Sequence, residues 1–211
     1  MKIIELFPSI QGESTLQGLP CVFIRLSGCN LHCRYCDTSY ARRGGTEMSM
    51  DEIVEKVIEY NIPFACITGG EPLLQRETPE LAAELLKRGF RVSVETNGTL
   101  NVTPLPRGVI RVIDIKCPGS GEKACLHHSV LTRKRISDEF KFVLTDRRDF
   151  EFARDFVTEH GLIDNNTVLF SPVWNTLAPS TLAEWLIREL PEARLNLQIH
   201  RCIWPHESRG R

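Results

Sequence analysis

The sequence of 211 residues contains no apolar run that approaches the roughly 20 residues needed to cross a bilayer, which excludes a membrane span. Its first residues lack a charged segment followed by a long apolar one, so we expect a cytoplasmic protein rather than a secreted one. The formal net charge of −1 provides no excess that would attract nucleic acid. Internal repeats, low-complexity tracts and flexible linkers are also missing, so we predict a single domain over residues 1–211.

In contrast to these absences, the sequence contains eight cysteines. In a chain with no export signal, clustered cysteines point to metal or redox chemistry rather than to disulfides. We expect most of the scattered ones to be small buried residues, namely Cys21, Cys66, Cys117, Cys125 and Cys202. The other three, Cys29, Cys33 and Cys36, follow the spacing C-x3-C-x2-C and could face one centre.

Short apolar runs alternate with amphipathic stretches along the chain. The runs that predict strands are 22–27, 64–68, 91–95, 109–115, 140–144, 167–170 and 194–199. Helix signals begin at Ser49, Thr78, Asp146 and Thr181, whereas residues 117–137 are polar and predict no regular helix. This alternation predicts a parallel sheet, either open or barrel-like. Because six or seven strands are too few for an eightfold barrel, we predict an α/β fold: a partial TIM-like barrel of about six parallel strands with an extra C-terminal strand.

Polar segments follow each of the first four predicted strands. They are residues 28–37, 68–72, 95–98 and 116–119. One Gly-Gly or Asn-Gly pair would indicate only a turn, but four such loops on the same rim of a sheet predict a ligand site there.

Three thiolates on one loop suit either zinc or an iron–sulfur cluster. A structural zinc site would need a fourth ligand, and neither His32 nor Cys21 or Cys66 forms the second half of a paired zinc knuckle. A cubane cluster held by three cysteines leaves one iron open to a small molecule.

The cysteine spacing, Tyr35 before the last cysteine and Gly-Gly-Glu-Pro at 69–72 resemble the radical S-adenosylmethionine (SAM) superfamily over about residues 22–170. This resemblance implies a [4Fe–4S] cluster on Cys29, Cys33 and Cys36, which binds SAM and generates a 5′-deoxyadenosyl radical. The SAM contacts that it implies are Tyr35, Cys36, Asp37, Gly70, Asp114 and Lys116. For Asp114 and Lys116, a local ion pair on the rim is the alternative.

Several segments narrow the resemblance to the 7-carboxy-7-deazaguanine synthase family. They are residues 7–14, 23–31, 36–38, 114–121 and 198–204. That family converts 6-carboxy-5,6,7,8-tetrahydropterin into 7-carboxy-7-deazaguanine with loss of ammonia, in queuosine biosynthesis. The resemblance implies Mg²⁺ as a further cofactor, a homodimer, and a reducing partner such as flavodoxin or ferredoxin, with no nucleic acid or membrane partner. It divides the chain into a substrate-binding extension (1–21), a core (22–170) and a C-terminal cap (171–211).

The same resemblance implies the contacts of the substrate and of magnesium. The substrate-binding residues are Ile10, Gln11, Gly12, Glu13, Arg25 and Thr68, and Thr38 offers a hydroxyl to Mg²⁺. An arginine suits the substrate carboxylate because a guanidinium pairs with it through two hydrogen bonds. Three structural alternatives stay open. Arg25 could pair with Glu13 or Glu71, Thr38 could cap a turn, and Glu13 could brace its loop. His200 and Trp204 could cover the site, with simple packing as the alternative for Trp204.

Two other functions compete with this prediction. An activase that installs a glycyl radical on a partner protein would share the cysteine spacing, but the Ile-Gln-Gly-Glu segment at 10–13 and Arg25 suit a small anionic heterocycle better. A zinc-stabilised binding module without enzymatic activity is the second alternative.

Overall fold

The computed structural model describes residues 1–122, 125–205 and 209–210, and all elements named below lie within these ranges. The strands are β1 (Lys2–Ile10), β2 (Pro20–Leu26), β3 (Thr46–Glu47), β4 (Phe64–Gly69), β5 (Arg91–Thr96), β6 (Ile110–Lys116), β7 (Glu139–Leu144), β8 (Thr167–Pro172) and β9 (Arg194–Leu195). The α-helices are α1 (Met50–Glu59), α2 (Thr78–Lys87), α3 (Ser129–Thr132), α4 (Arg147–Glu159), α5 (Pro179–Glu189) and α6 (Ile199–Ile203). Within the described ranges, no helix is long and apolar enough to span a membrane.

The strands form one sheet in the order β3-β1-β2-β4-β5-β6-β7-β8-β9. All pairs from β2–β4 to β8–β9 are parallel, and the sheet ends at β3 on one side and β9 on the other without closing. The predicted α/β partial barrel is therefore confirmed: in the described residues it has six parallel strands and the two-residue β9. Amphipathic helices cover its outer face, with α1 and α2 on one flank and α4 and α5 on the other.

The sequence analysis missed β1 and β3, which pair antiparallel at one edge of the sheet. β1 contains Pro8, and a proline inside an apolar run argues against a strand because it has no N–H for the ladder. The structure resolves the conflict because β3 pairs only with Lys2 and Ile3, so that β1 is an edge strand at Pro8.

The prediction of a strand over residues 194–199 is wrong beyond β9. The buried Asn196 side chain donates a hydrogen bond to Ser171 Oγ (2.8 Å), and the Ile199 N–H donates to the Gly12 carbonyl (3.1 Å). These polar contacts direct the chain out of the sheet and into α6, which the alternation of Leu with polar residues does not reveal.

Helix starts follow the predicted signals with one exception. Ser49 forms the predicted capping box of α1, α2 starts at its predicted residue, and Asp146 caps α4 by accepting from the Asp149 N–H (3.0 Å). α5 begins at Pro179 rather than at Thr181, because a proline is well suited to the first turn of a helix.

Two crossovers lack a long helix. Residues 97–109 connect β5 to β6 without one, and α3, a single turn, is the only α-helix in the described part of the β6–β7 connection, as the sequence predicts. A fully buried ion pair holds both connections, with Arg111 Nε 2.7 Å from Asp138 Oδ1. Arg111 also donates to the carbonyls of Val102 (3.3 Å) and Arg133 (2.9 Å), one in each connection.

Residues 11–19, the N-terminal loop, lie at the amino ends of the parallel strands. Ile10 pairs with Pro20, the first residue of β2, and the Thr15 N–H donates to the carboxylate of Glu139, the first residue of β7 (3.0 Å). Burial raises the pKa of Glu139. The loop therefore enters the barrel from the end opposite to the polar loops that follow the strands.

Candidate active site

A cavity of about 940 Å³ lies inside the partial barrel. Pockets that hold cofactors and small substrates enclose about 300–1,000 Å³. Every residue to which the sequence analysis gives a role in binding the cluster, SAM, magnesium or the substrate lines this cavity: Ile10, Gln11, Gly12, Glu13, Arg25, Cys29, Cys33, Tyr35, Cys36, Asp37, Thr38, Thr68, Gly70, Asp114 and Lys116. The roles of these residues stay predictions.

The cluster loop, residues 28–38, follows β2 and is fixed at several points. The Gly28 N–H donates to the Ala41 carbonyl (2.9 Å), and the Arg34 N–H donates to the Ser120 carbonyl (2.9 Å). The loop is thus held both by the chain that follows it and by the turn after β6. This fixation restricts the positions that its three cysteines can take.

The three cysteine thiols are free and partly buried. Burial raises the pKa of the Cys29 and Cys33 thiols, so an electropositive centre is needed to hold them as thiolates at neutral pH. Among the described residues, no three His, Cys, Asp or Glu side chains converge on a point that could hold a single metal ion. A cubane does not require such convergence, because each cysteine ligates a different iron. Three cysteine thiols on one loop are a donor set that fits three irons of an iron–sulfur cluster.

Gly70 allows the loop after β4 to touch the cluster loop. A Cβ atom at Gly70 would lie 2.1 Å from the Gly28 carbonyl oxygen and 2.7 Å from Cys29 Cβ, so only glycine fits. The adjacent Glu71 is fully buried and accepts a hydrogen bond from the Thr96 hydroxyl (2.8 Å) at the end of β5. Burial raises the pKa of Glu71. The Gly-Gly-Glu motif thus joins the cluster loop to two strand ends.

Asp114 and Lys116, at the end of β6, form the ion pair that was the alternative to direct cofactor contact. Lys116 Nζ lies 2.9 Å from Asp114 Oδ2, and both residues also line the cavity. Burial alone would lower the pKa of Lys116, but the Asp114 carboxylate outweighs it and raises that pKa. Asp114 Oδ1 is buried and has no hydrogen-bond partner in the described part of the chain, so it remains a free acceptor at the cavity wall.

Glu95 lines the cavity and lies in the polar segment 95–98 that the sequence analysis placed at the ligand site, but it was given no binding role there. Its carboxylate accepts hydrogen bonds from the Gln11 amide (3.2 Å) and the Thr68 hydroxyl (3.0 Å), both predicted substrate contacts. It ends the apolar run of β5, and a charged residue at the end of a buried strand is the signal that could have identified it.

Glu13 braces the N-terminal loop. Its carboxylate accepts from Lys141 Nζ (2.5 Å) on β7 and from Gln198 Nε2 (2.6 Å) near the C-terminus. Burial alone would lower the pKa of Lys141, but Glu13 and Asp114 outweigh it and raise that pKa well above its ordinary value. Lys141 and Gln198 also line the cavity, and neither was predicted.

Arg25 pairs with neither Glu13 nor Glu71, so the predicted partners are wrong. Its Nε lies 3.0 Å from Glu5 Oε2, because the pairing of β1 with β2 brings Glu5 directly opposite Arg25. Glu5 belongs to the strand that the sequence analysis missed, which is why this partner was missed too.

Thr38 does not cap the following 3-10 turn, Ser39–Arg42, through its side chain. Its hydroxyl donates instead to Asp37 Oδ1 (2.8 Å). Burial alone would raise the pKa of Asp37, but the Thr38 hydroxyl and the Arg201 guanidinium outweigh it and lower that pKa. Arg201 Nη2 lies 3.2 Å from Asp37 Oδ2, so α6 is attached to the cluster loop.

His200 covers the N-terminal loop from α6. A Cβ atom at Gly12 would lie 2.0 Å from His200 Nδ1, so a larger residue at this position would displace the imidazole ring. His200 lines the cavity, whereas Trp204 is not among the residues that line it. Burial lowers the pKa of His200.

The chain is similar to several known proteins in sequence and in fold. Residues 23–114 match a family model described as the radical SAM superfamily. The chain is 40% identical over 227 residues to the 7-carboxy-7-deazaguanine synthase of Koribacter versatilis, covering 100% of both chains. It is 41% identical over 213 residues to the 7-carboxy-7-deazaguanine synthase of Chlorobaculum tepidum, covering 100% of this chain and 97% of the relative. The crystal structure of QueE from Escherichia coli shares the fold, with a TM-score of 0.78, 23% identity and 93% of each chain covered.

Proposed function

The chain belongs to the 7-carboxy-7-deazaguanine synthase family, and from this we propose a reaction for it and roles for the residues of its cavity. The protein is a radical SAM enzyme of queuosine biosynthesis that forms 7-carboxy-7-deazaguanine. We propose that it does so from 6-carboxy-5,6,7,8-tetrahydropterin, with loss of ammonia. One observation carries the proposal: the cluster loop and the N-terminal loop line the same cavity, although they enter from opposite ends of the strands.

Cys29, Cys33 and Cys36 would hold three irons of a [4Fe–4S] cluster, with the fourth iron left for SAM. When both are bound, the cluster and SAM supply a 5′-deoxyadenosyl radical, which takes a hydrogen atom from the substrate. The protein must keep this site dry and its reactants close together. The packing of Gly70 against the cluster loop and of His200 against Gly12 supports this role.

The cofactor contacts lie on the cluster side of the cavity. We assign SAM to the backbone of Tyr35, Cys36 and Asp37, to Gly70, and to Asp114 with Lys116. Asp114 Oδ1 is the best supported of these contacts, because it is a buried acceptor without a partner among the described residues. A ligand hydroxyl or amino group would satisfy this oxygen.

The substrate contacts lie on the side of the N-terminal loop. The Arg25 guanidinium would bind the substrate carboxylate, and Glu95, held by Gln11 and Thr68, would accept hydrogen bonds from N–H groups of the pterin ring. Ile10 and Gly12 would form the wall of the pocket. Both oxygens of Glu13 are already engaged, so its role would be to shape that wall.

The Thr38 hydroxyl would serve Mg²⁺, a hard cation that prefers oxygen ligands and keeps several waters. The adjacent Asp37 carboxylate, 2.8 Å from that hydroxyl, supplies nearby negative charge. We further propose a cytoplasmic homodimer reduced by flavodoxin or ferredoxin. Residues 1–21 would form a substrate-binding extension, residues 22–170 the core and residues 171–211 a cap.

The test is anaerobic reconstitution with iron, sulfide, reductant and SAM, followed by an assay with 6-carboxytetrahydropterin. We expect a brown protein that cleaves SAM and releases 7-carboxy-7-deazaguanine. Cys33→Ala should abolish both reactions, whereas Cys125→Ala, which changes an exposed cysteine outside the cluster loop, should retain them.

The outcomes separate the alternatives. SAM cleavage without ring contraction would overturn the substrate assignment but leave the radical SAM chemistry intact. Glycyl-radical formation on a partner protein would favour an activase. A colourless protein with stoichiometric zinc and no SAM cleavage would contradict both assignments.

A further inference from the structure

The guanidinium of Arg25 is anchored at one edge. Glu5 Oε2 accepts two hydrogen bonds, from Arg25 Nε (3.0 Å) and from the Tyr40 hydroxyl (2.9 Å). We call these three residues the Arg25 triad. In the part of the chain that the structure describes, Arg25 Nη1 and Nη2 donate no hydrogen bond to the protein, and Arg25 lines the cavity. The end of the guanidinium that carries Nη1 and Nη2 is therefore free for a ligand.

A β-bulge brings Glu5 to this position. Ile3 pairs with Leu26 and Glu5 pairs with Arg25, so Ile4 is an extra residue in β1 opposite the regular β2. A bulge of this kind re-aims a side chain, and bulges are over-represented next to active sites. In a regular ladder, Ile4 would stand opposite Arg25, and the guanidinium would have no carboxylate to orient it.

Tyr40 connects the triad to the cluster loop. It lies in the 3-10 turn Ser39–Arg42, which directly follows Thr38, and its hydroxyl contacts the same Glu5 oxygen as Arg25. The Arg209 guanidinium covers the Tyr40 ring at 4.4 Å from its centroid. The triad thus spans β1, β2 and the end of the cluster loop.

We propose that Glu5 and Tyr40 are positioning residues that force Arg25 to bind its ligand through Nη1 and Nη2. A guanidinium can pair with a carboxylate through its Nε edge or through its two terminal nitrogens. Glu5 occupies the Nε edge, so the end-on mode is the one left for the substrate. The inference rests on the proposed function, in which Arg25 binds the substrate carboxylate. It adds the two residues that select the geometry of that bond.

A structural ion pair is the competing explanation. Glu5 and Arg25 face each other across two antiparallel strands, where opposite charges stabilise a sheet modestly. Such a pair would affect stability alone, without distinguishing ligands that carry a carboxylate from ligands that lack one.

The experiment measures ligand binding to the reconstituted enzyme with cluster and SAM, under anaerobic conditions. The probes are 6-carboxypterin and pterin without the carboxylate, both followed by their own fluorescence. Glu5→Ala should weaken the binding of 6-carboxypterin by about tenfold or more, because an unanchored arginine loses orientation in a charge-assisted bond, and should leave pterin unchanged. Glu5→Gln should retain part of the affinity, because its amide oxygen still accepts from Arg25 Nε. Tyr40→Phe should have a smaller effect in the same direction.

Turnover provides a second readout. For the substrate, we expect Glu5→Ala to raise KM with a smaller change in kcat. The matched control is Glu84→Ala, which removes a carboxylate paired with Arg88 (2.8 Å) on the surface of α2 and should change neither ligand affinity.

Equal weakening of both probes, or lower stability with unchanged binding, would overturn the positioning role. If Glu5→Ala fails to fold, Glu5→Gln and Tyr40→Phe give the same test. If Arg25→Ala itself leaves the affinity for 6-carboxypterin unchanged, then the role of Arg25 in the proposed function is wrong, and the positioning role is wrong with it. Loss of affinity in Arg25→Ala but in neither partner variant would contradict the positioning role alone.

Discussion

The first half of the sheet and its middle are supported in different ways. From β2 to β5, the crossovers are α1 and α2, which bury apolar side chains such as Ile53 and Leu81 completely. From β5 to β7, the described crossovers are mostly loops, and the buried Arg111–Asp138 pair joins them. An apolar interface loses stability in proportion to the volume removed. A buried ion pair behaves differently, because the loss of one partner leaves the other charge unsolvated.

The largest expected loss of stability comes from breaking the Arg111–Asp138 ion pair in the middle of the sheet. Asp138→Ala should destabilise the protein by about 3–5 kcal/mol, because Arg111 would remain fully buried without its partner. Urea unfolding followed by circular dichroism measures this change. The double variant Arg111→Met with Asp138→Leu should regain only part of the loss, because it removes the unpaired charge but leaves the carbonyls of Val102 and Arg133 without their donor. A loss below about 1 kcal/mol in Asp138→Ala would show that water solvates Arg111 and would remove the contrast between the regions.

The next effect comes from the apolar support of the first half. Leu81→Ala in α2 should cost about 3 kcal/mol, because it leaves a cavity at a fully buried position. Ile58→Ala, which changes a residue of α1 that is 42% exposed, should alter stability by no more than about 0.5 kcal/mol. The same urea titration compares the two. Similar losses in both variants would mean that burial does not determine the contribution of these helices.

A smaller effect tests the local helix signal on the same side. Ser49→Ala should cost about 1 kcal/mol, because it removes the acceptor for the Glu52 N–H (3.2 Å) at the start of α1. Ser49→Gly should cost only a few tenths of a kcal/mol, which makes it the control. Thermal unfolding of the two variants distinguishes a cap from a general effect of replacing the residue.

The smallest effect concerns α6, which buries no residue completely and depends largely on polar contacts. Burial lowers the pKa of His200, although Glu13, Asp37 and Glu95 raise it in part and Arg201 adds to the lowering. The unfolded segment therefore binds a proton more readily than the docked one. The neutral His200 ring contributes fully to the docking of α6 above about pH 6.5, the ordinary pKa of histidine. This contribution is lost as the pH falls through the lower pKa of the docked His200.

Hydrogen exchange measures this change. Amide exchange in α6 should become faster as the pH falls below about 6.5, after correction for the intrinsic pH dependence, while exchange in α1 stays constant. His200→Gln should remove the pH dependence. Equal acceleration in α1 and α6 would indicate global unfolding instead.

The sequence predicts the parts of this protein that depend on local signals. The apolar runs of β2 and β4 to β8, the capping box at Ser49 and the three cysteines on one loop are all visible within short windows. The contacts of Glu95, Lys141 and Glu5 are not visible in this way. Each joins strands or loops that are distant in sequence, and the position of Glu5 also depends on a bulge that no residue pattern announces. β1 was also missed, because Pro8 argues against a strand. Only the pairing of β1 in the sheet shows that Pro8 lies at an edge.

The bracing of Glu13 has a consequence for the order of assembly. Its partners Lys141 and Gln198 follow it by 128 and 185 positions, so they leave the ribosome long after the N-terminal loop does. The cluster loop is synthesised well before these partners, although the Arg34–Ser120 hydrogen bond that anchors it must wait for the turn after β6. The side of the cavity that the N-terminal loop lines can close only after Gln198 has been synthesised, because a contact between distant residues must wait for both. During synthesis, therefore, the three cysteines of the cluster loop leave the ribosome before the opposite wall of the cavity can form.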